Sequence, residues 1–343
     1  MKRVFSVASL LALIAGASCA KSEAPAIIDS AAIASVDPLR NDVALSPGEG
    51  RLRVDGGRIW YRVAGAGRGV PVILLHSGPG LNSYALKSLE ELGNDRPVVR
   101  YDQLGGGKSD NLNDTTKMNI ARFVAELEAL RAQLSYDKVH LIGHAWGATL
   151  ALEYSRAHPE HVVSMTLAGA RLDMPSWKTG VQRLVASLPD SSRKAVAASE
   201  ADGHFNSPEY RAAIADYFQR FMWRKPVVDD VDSASQHVDQ ILFEYMHGPS
   251  EFTVLGTLKD YDATPFLNEV KVPTLYVVGE FDEALPSLVR KYVSLTPGAR
   301  YSSIAGAAHF ISWDNPVATT MVIRDFLGSV DRANAGTMGP APK

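Results

Sequence analysis

The sequence predicts an α/β protein with a mostly parallel central sheet and a helical lid inserted between two of its strands. Three observations predict it. Short apolar runs ending in polar residues alternate with segments of helical period, the pattern of a parallel sheet covered on both faces. The alternation stops between 171 and 265, where helical stretches rich in Trp, Phe, Tyr and Met take over. One strand passes into a helix through Gly143-His144-Ala145-Trp146-Gly147, a turn sharp enough to need a glycine on each flank.

In chain order, residues 1–20 read as an export signal. Met1-Lys2-Arg3 is a basic start, VFSVASLLALIAGA is too short for a stable membrane span, and Ser18-Cys19-Ala20 offers small residues for cleavage. The protein is therefore expected to be exported, either free in the periplasm or lipid-anchored to the cell envelope. Cleavage after Ala20 gives the first outcome. Lipidation of Cys19 gives the second, although Gly16 stands where such sites usually carry leucine. Cys19 is the only cysteine, so the mature chain forms no disulfide. Residues 21–48, rich in Ala, Ser, Pro and Asp, read as an N-terminal arm or linker.

The core is expected over 49–170 and 266–331. Its first element is a hairpin, RLRVDGGRIWYRVAG (51–65), two alternating runs around Asp55-Gly56-Gly57. Strands follow at 70–76, 96–102, 137–144, 161–170, 272–280 and 299–306, with helices at 119–134 and at 146–160, the latter ended by Pro159. The helical segment 171–265 is the lid. Residues 332–343 read as a disordered tail.

Of the 343 residues, 46% are hydrophobic and 21% charged, enough for an ordinary core in one large domain with a lid. The net charge of −3 comes with no basic stripe, which excludes nucleic acid as a partner. Two suggestive patterns carry no chemistry. His158-Pro159-Glu160-His161 resembles a metal pair, but Pro159 ends a helix there and the next strand starts at His161, so no metal is expected. Ser109, closing Gly105-Gly106-Gly107-Lys108, lacks the leading glycine of a phosphate loop and lies on a different loop from the 143–147 turn. No cofactor is implied.

Acyl-transfer hydrolysis needs a nucleophile, a general base, a group that orients the base, and donors for the oxyanion. Position 145, at the tip of the strand-to-helix turn, is the nucleophile position, though alone the turn is equally an ordinary βα connection with a helix-forming alanine. Asp282, just beyond the strand 272–280, suits the orienting acid, while its neighbour Glu283 reads as a solvated surface charge. His309, in the small-residue loop after the last strand, suits the base. Nucleophile, acid, histidine is the chain order an α/β-hydrolase sheet requires. The oxyanion donors are expected to be the N–H of Trp146 and that of Ser77 or Gly78, in the loop after the strand 70–76.

These segments together resemble the proline iminopeptidase family of α/β-hydrolases. His76-Ser77-Gly78-Pro79-Gly80 is similar to that family's His-Gly-Gly-Pro-Gly, and YDQLGGGKS (101–109) to its Tyr-Asp-Gln segment. GHAWG is similar to its nucleophile turn, HGPSEFTVLGTLKD (247–260) to its lid motif, and GEFDEALP and AAHFISWDNP to its acid and histidine segments. The resemblance spans about 50–328. It implies a serine aminopeptidase without metal or cofactor, cleaving proline or a similar residue from the N-terminus of peptides or amides. It also implies that Glu251 pairs with the substrate's α-ammonium and that His76 and Gly80 belong to the substrate-binding loop. A second amine-holding carboxylate is usual in the family. Asp216 is a candidate for it, and amides or esters with other head groups stay open as substrates.

The departure from the family is Ala145, where the serine should stand. Without a hydroxyl the chain should bind substrate and hardly turn it over. A natural ligand-binding protein that lost its nucleophile is one explanation. A working hydrolase whose serine was replaced is the other. The survival of Trp146, the 76–80 loop, Glu251, Asp282 and His309 favours the second. An epoxide hydrolase or dehalogenase would need an aspartate at 145.

Overall fold

The computed structural model describes residues 46–67, 69–226 and 238–337. The export signal, Cys19, most of the arm and residues 338–343 lie outside the described residues.

Eight strands form one sheet in the order β1-β2-β4-β3-β5-β6-β7-β8. Strands β1 (Gly48–Val54) and β2 (Gly57–Ala64) make the expected hairpin, with Gly56 at φ 99° in its turn. β2 pairs antiparallel with β4 (Val98–Asp102). From β4 onward all pairing is parallel, through β3 (Val72–Leu75), β5 (Val139–His144), β6 (Val162–Ala168), β7 (Thr274–Gly279) and β8 (Arg300–Ile304).

Strands β3 to β7 are buried along their whole length, which explains why they read as mostly apolar runs. The pleat sends alternate residues to opposite faces. Ile73 and Leu75 join the core shared with helices α1 (Ile120–Gln133) and α2 (Trp146–Ala157). Val72 and Leu74 join the opposite core, closed by Leu86, Leu89 and Leu92 and by Ile323, Phe326 and Leu327. Helix α2 ends at Ala157, just before His158-Pro159, and Pro159 opens a short 3₁₀ turn.

The lid leaves the sheet after β6 and returns before β7. It carries helices α3 (Met174–Ala186), α4 (Asp190–Asp202), α5 (Pro208–Phe221) and α6 (Gln240–Met246). Three of them begin with a side-chain cap: Asp173 accepts from Ser176 N, Ser207 from Tyr210 N and Asp239 from Leu242 N. The lid has its own aromatic core of Trp177, Tyr210, Tyr217, Phe218 and Phe252. Two strips of backbone fasten it over the sheet. Asp239 N donates to Gly80 O at 2.9 Å, and His309 N and Phe310 N donate to Phe221 O and Met222 O at 3.0 and 2.8 Å.

After α7 (Pro286–Leu295) and β8, a short helix α8 (Ile311–Asp314) leads into α9 (Pro316–Thr337). This corrects the reading of 332–343 as a disordered tail, because residues 332–337 continue the helix. Arg332, Ala333 and Ala335 are good helix formers. Asp331 anchors the preceding turn through Arg96 at 2.7 Å and His140 at 3.2 Å.

Candidate active site

Position 145 sits at the C-terminal end of β5, the central parallel strand, where the chain turns straight into α2. Strand and helix come so close that a Cβ at Gly143 would lie 2.2 Å from Gly147 O, and one at Gly147 2.0 Å from Leu75 O. Ala145 itself adopts φ 51°, ψ −109° and is held there by its N–H, which donates to Ala168 O at 2.9 Å. That backbone is unfavourable for alanine by about 1–3 kcal/mol and persists only where its surroundings impose it.

The acid and base come together as expected. Asp282 Oδ1 accepts from His309 Nδ1 at 2.7 Å and from Ala284 N at 2.8 Å, and Oδ2 accepts from Gly279 N at 3.2 Å. Gly169, at φ 52°, makes room for the ring: a Cβ there would meet His309 Cε1 at 2.7 Å. His144 packs tilted against His309 with ring centroids 4.4 Å apart and donates from Nε2 to His309 O at 2.9 Å. With Nδ1 committed to Asp282, the buried Nε2 of His309 has no hydrogen-bond partner. Burial alone would lower the His309 pKa, but the charge and hydrogen bond of Asp282, helped by Glu283, raise it above its ordinary value.

Two backbone N–H groups are available for an oxyanion. Trp146 is the first residue of α2, so its N–H has no partner inside the helix. Ser77 and Gly78 flank the site, Ser77 on the wall of a large cavity and Gly78 on that of a small one. Gln103 ties the two sides together. Its Oε1 accepts from Trp146 Nε1 at 2.7 Å, its Nε2 donates to His76 O at 3.3 Å, and its own N–H donates to His76 Nε2 at 2.9 Å.

The loop residues His76 and Gly80, expected in the substrate-binding loop, hold that loop in place. His76 is fully buried, with one ring nitrogen taken by Gln103 N and the other donating to Ser77 O at 2.6 Å. Gly80 carries the lid clasp, and a Cβ there would press 2.5 Å from Asp239 O. Both shape the loop. Asp216 is also reassigned. It lies on α5, accepting from Ser192 at 3.2 Å and Arg220 at 2.7 Å within the lid.

The second carboxylate beside Glu251 is Glu283, buried rather than solvated, with Oε1 3.9 Å from His309 Nε2. Sequence reasoning passed it over, along with the residue that joins the two carboxylates. Arg171 Nη2 donates to Glu251 Oε1 at 2.8 Å and also to Glu283 Oε1. Tyr217 OH donates to Glu283 Oε2 at 3.1 Å. A charged residue directly after the apolar strand that ends in Leu167-Ala168-Gly169-Ala170 was the available signal. Burial would raise the Glu251 pKa, but Arg171 and then His247 hold it below its ordinary value. For Glu283 burial prevails, reinforced by the charge of Glu251, and the pKa rises to about 7.

The large cavity, about 690 Å³ and partly open to solvent, runs from Ser77 to the lid. Leu81, Phe218, Trp223, Phe243, Phe310 and Trp313 make its walls mostly apolar, and among the described residues Glu251 is the one carboxylate on them. Among the described residues, no group of three or more His, Cys, Asp or Glu is arranged to hold a metal ion.

Residues 70–316 match the family model of the alpha/beta hydrolase fold. The chain is 40% identical over 287 residues to a proline iminopeptidase of Heyndrickxia coagulans, covering 82% of this chain and 99% of that protein. Among solved structures, VinJ superposes with a TM-score of 0.80 at 30% identity, over 83% of this chain and 100% of that one. The proline iminopeptidase of Mycobacterium smegmatis superposes with a TM-score of 0.77 at 29% identity, over 84% of this chain and 100% of that one.

Proposed function

The chain belongs to the α/β-hydrolase fold family, among relatives of the proline iminopeptidase type, and on that premise we propose that it is a serine hydrolase with Ala145 in the place of its nucleophile. The observation that carries this reading is the backbone of Ala145. An alanine gains nothing from φ 51°, ψ −109°, whereas a nucleophile gains exposure at the tip of a rigid turn.

With a hydroxyl at 145, the reaction runs as an acyl transfer in two halves. The hydroxyl oxygen bonds to the substrate's carbonyl carbon while His309 Nε2 takes its proton. Asp282 keeps the imidazole in the tautomer that offers Nε2 and stabilises the imidazolium. The N–H of Trp146 and that of Ser77 or Gly78 hold the oxyanion. Collapse breaks the bond to the leaving amine or alcohol, which takes its proton from His309, and water releases the acyl group by the same route.

The name of the relatives brings a free N-terminal prolyl residue to this chain as one substrate class. Amides and esters of other acyl groups are the second. Export to the periplasm or envelope completes the reading, with the mass of the native mature N-terminus as its check. The intact partners of position 145 support a serine replaced in a working hydrolase; an alanine codon at this position in the source genome would overturn that part.

The test is Ala145→Ser. The serine protein should hydrolyse a panel of prolyl, aminoacyl and simple acyl anilides and esters, while the Ala145 protein stays at least about 10³-fold slower. A serine protein inert across the panel would contradict the proposal.

A further inference from the structure

Gln103 bonds toward both sides of the oxyanion site. Its Oε1 accepts from Trp146 Nε1 at 2.7 Å, and its Nε2 donates to His76 O at 3.3 Å. The orientation of the amide is forced, because an indole N–H only donates and a backbone carbonyl only accepts. The same logic fixes the His76 ring. Gln103 N donates to His76 Nε2 at 2.9 Å, so the ring proton sits on Nδ1, which donates to Ser77 O at 2.6 Å. Burial lowers the His76 pKa against the charge of Asp102, which keeps the ring in this neutral form.

Ser77 O and Gly78 N–H belong to one planar peptide group, so a bond that fixes the carbonyl also fixes the direction of the N–H. Gly78 and Trp146 line the same small cavity. The relay from Gln103 through His76 thus orients one donor, and the bond to the indole holds the residue that carries the other. Gln103 is itself buried and pinned from both sides. The Asp102 carboxylate accepts from Ser83 N and Lys108 N, each at 2.8 Å, and Glu126 accepts from Leu104 N at 3.3 Å.

We propose that Gln103 is a positioning residue for the oxyanion: it sets the spacing between the N–H groups of Gly78 and Trp146 and acts through those two residues. Both donors meet the developing negative charge only if that spacing holds, and a misplacement of about 1 Å costs about 10²-fold in rate. This rests on the hydrolase reading for the oxyanion itself.

The experiment is a double-mutant cycle in Ala145→Ser, on whichever anilide or ester of the panel that protein turns over fastest. Turnover is counted per site titrated with an alkyl fluorophosphonate, so that misfolded protein does not count. Gln103→Met, similar in length but without the amide, should lower kcat about 10²-fold and leave KM within about threefold, the mark of an interaction made in the transition state. Trp146→Phe keeps the backbone N–H, loses the indole bond, and should lower kcat at least about tenfold. The two combined should be no slower than Gln103→Met alone, because the same link is broken in both. Gln103→Asn, one methylene too short to reach both partners, should lose kcat in the same way and serves where Gln103→Met folds poorly. A kcat within about threefold of the parent, a loss confined to KM, or a double variant slowed by the product of the two single losses would overturn the proposal. A serine parent inert on the whole panel would instead remove the hydrolase reading, and this proposal would fall with it.

Discussion

Ala145 is held against its own preference, and that has a thermodynamic consequence. Glycine adopts φ 51° without a Cβ penalty. Ala145→Gly should therefore raise stability by about 1 kcal/mol, measured by urea unfolding. A destabilised glycine variant would mean the turn is not strained. His309 makes a second prediction at this scale. It serves as a base only when unprotonated, and its pKa lies above the ordinary 6.5. A raised pKa keeps the ring charged to higher pH, so kcat/KM of Ala145→Ser should fall on the acid side through an apparent pKa above 6.5. Glu283→Gln removes one of the charges that raise it and should move that limb to lower pH. In the serine background, His309→Ala and Asp282→Ala should each cost at least about 10³-fold; retained turnover in either would reassign the base or its partner.

At the scale of elements, the approach of β5, β3 and α2 sets the site. Gly147→Ala would drive a methyl group to 2.0 Å from Leu75 O, a backbone atom that cannot step aside. The cost should be about 3 kcal/mol, read as a lower unfolding midpoint, and a midpoint unchanged within error would mean the helix can slide. The 76–80 loop is fixed from both ends, by Gln103 through His76 and by the Asp239–Gly80 clasp. His76 and Gly80 therefore each supply a fixed point of the loop. The lid reaches the base directly, since Phe221 O and Met222 O accept from His309 N and Phe310 N.

For the whole molecule, the parts legible in the sequence are those whose signal is local. Strands β3 to β7 are buried on both faces and read as apolar runs. Positions 145, 282 and 309 each follow the C-terminal end of a parallel strand, so chain order alone was enough to point to them. The Arg171 cluster was not legible in that way. Arg171 lies 80 residues from Glu251 and 112 from Glu283, and only the folded lid brings the three together. Glu283 looked solvated because adjacency to Asp282 says nothing of burial, and Asp216 was misplaced because helical period does not tell which neighbour a lid face meets. The end of α9 was missed because its hold lies in Asp331 and its partners Arg96 and His140, distant in sequence. The central claim is that this framework presents position 145 as a nucleophile. Its most direct test is covalent: treat Ala145→Ser with an alkyl fluorophosphonate and map the adduct by peptide mass spectrometry. A single adduct at position 145, absent from the Ala145 protein and from Ala145→Ser/His309→Ala, is the predicted result. No adduct, or one placed on Ser77 or Ser109 instead, would contradict it.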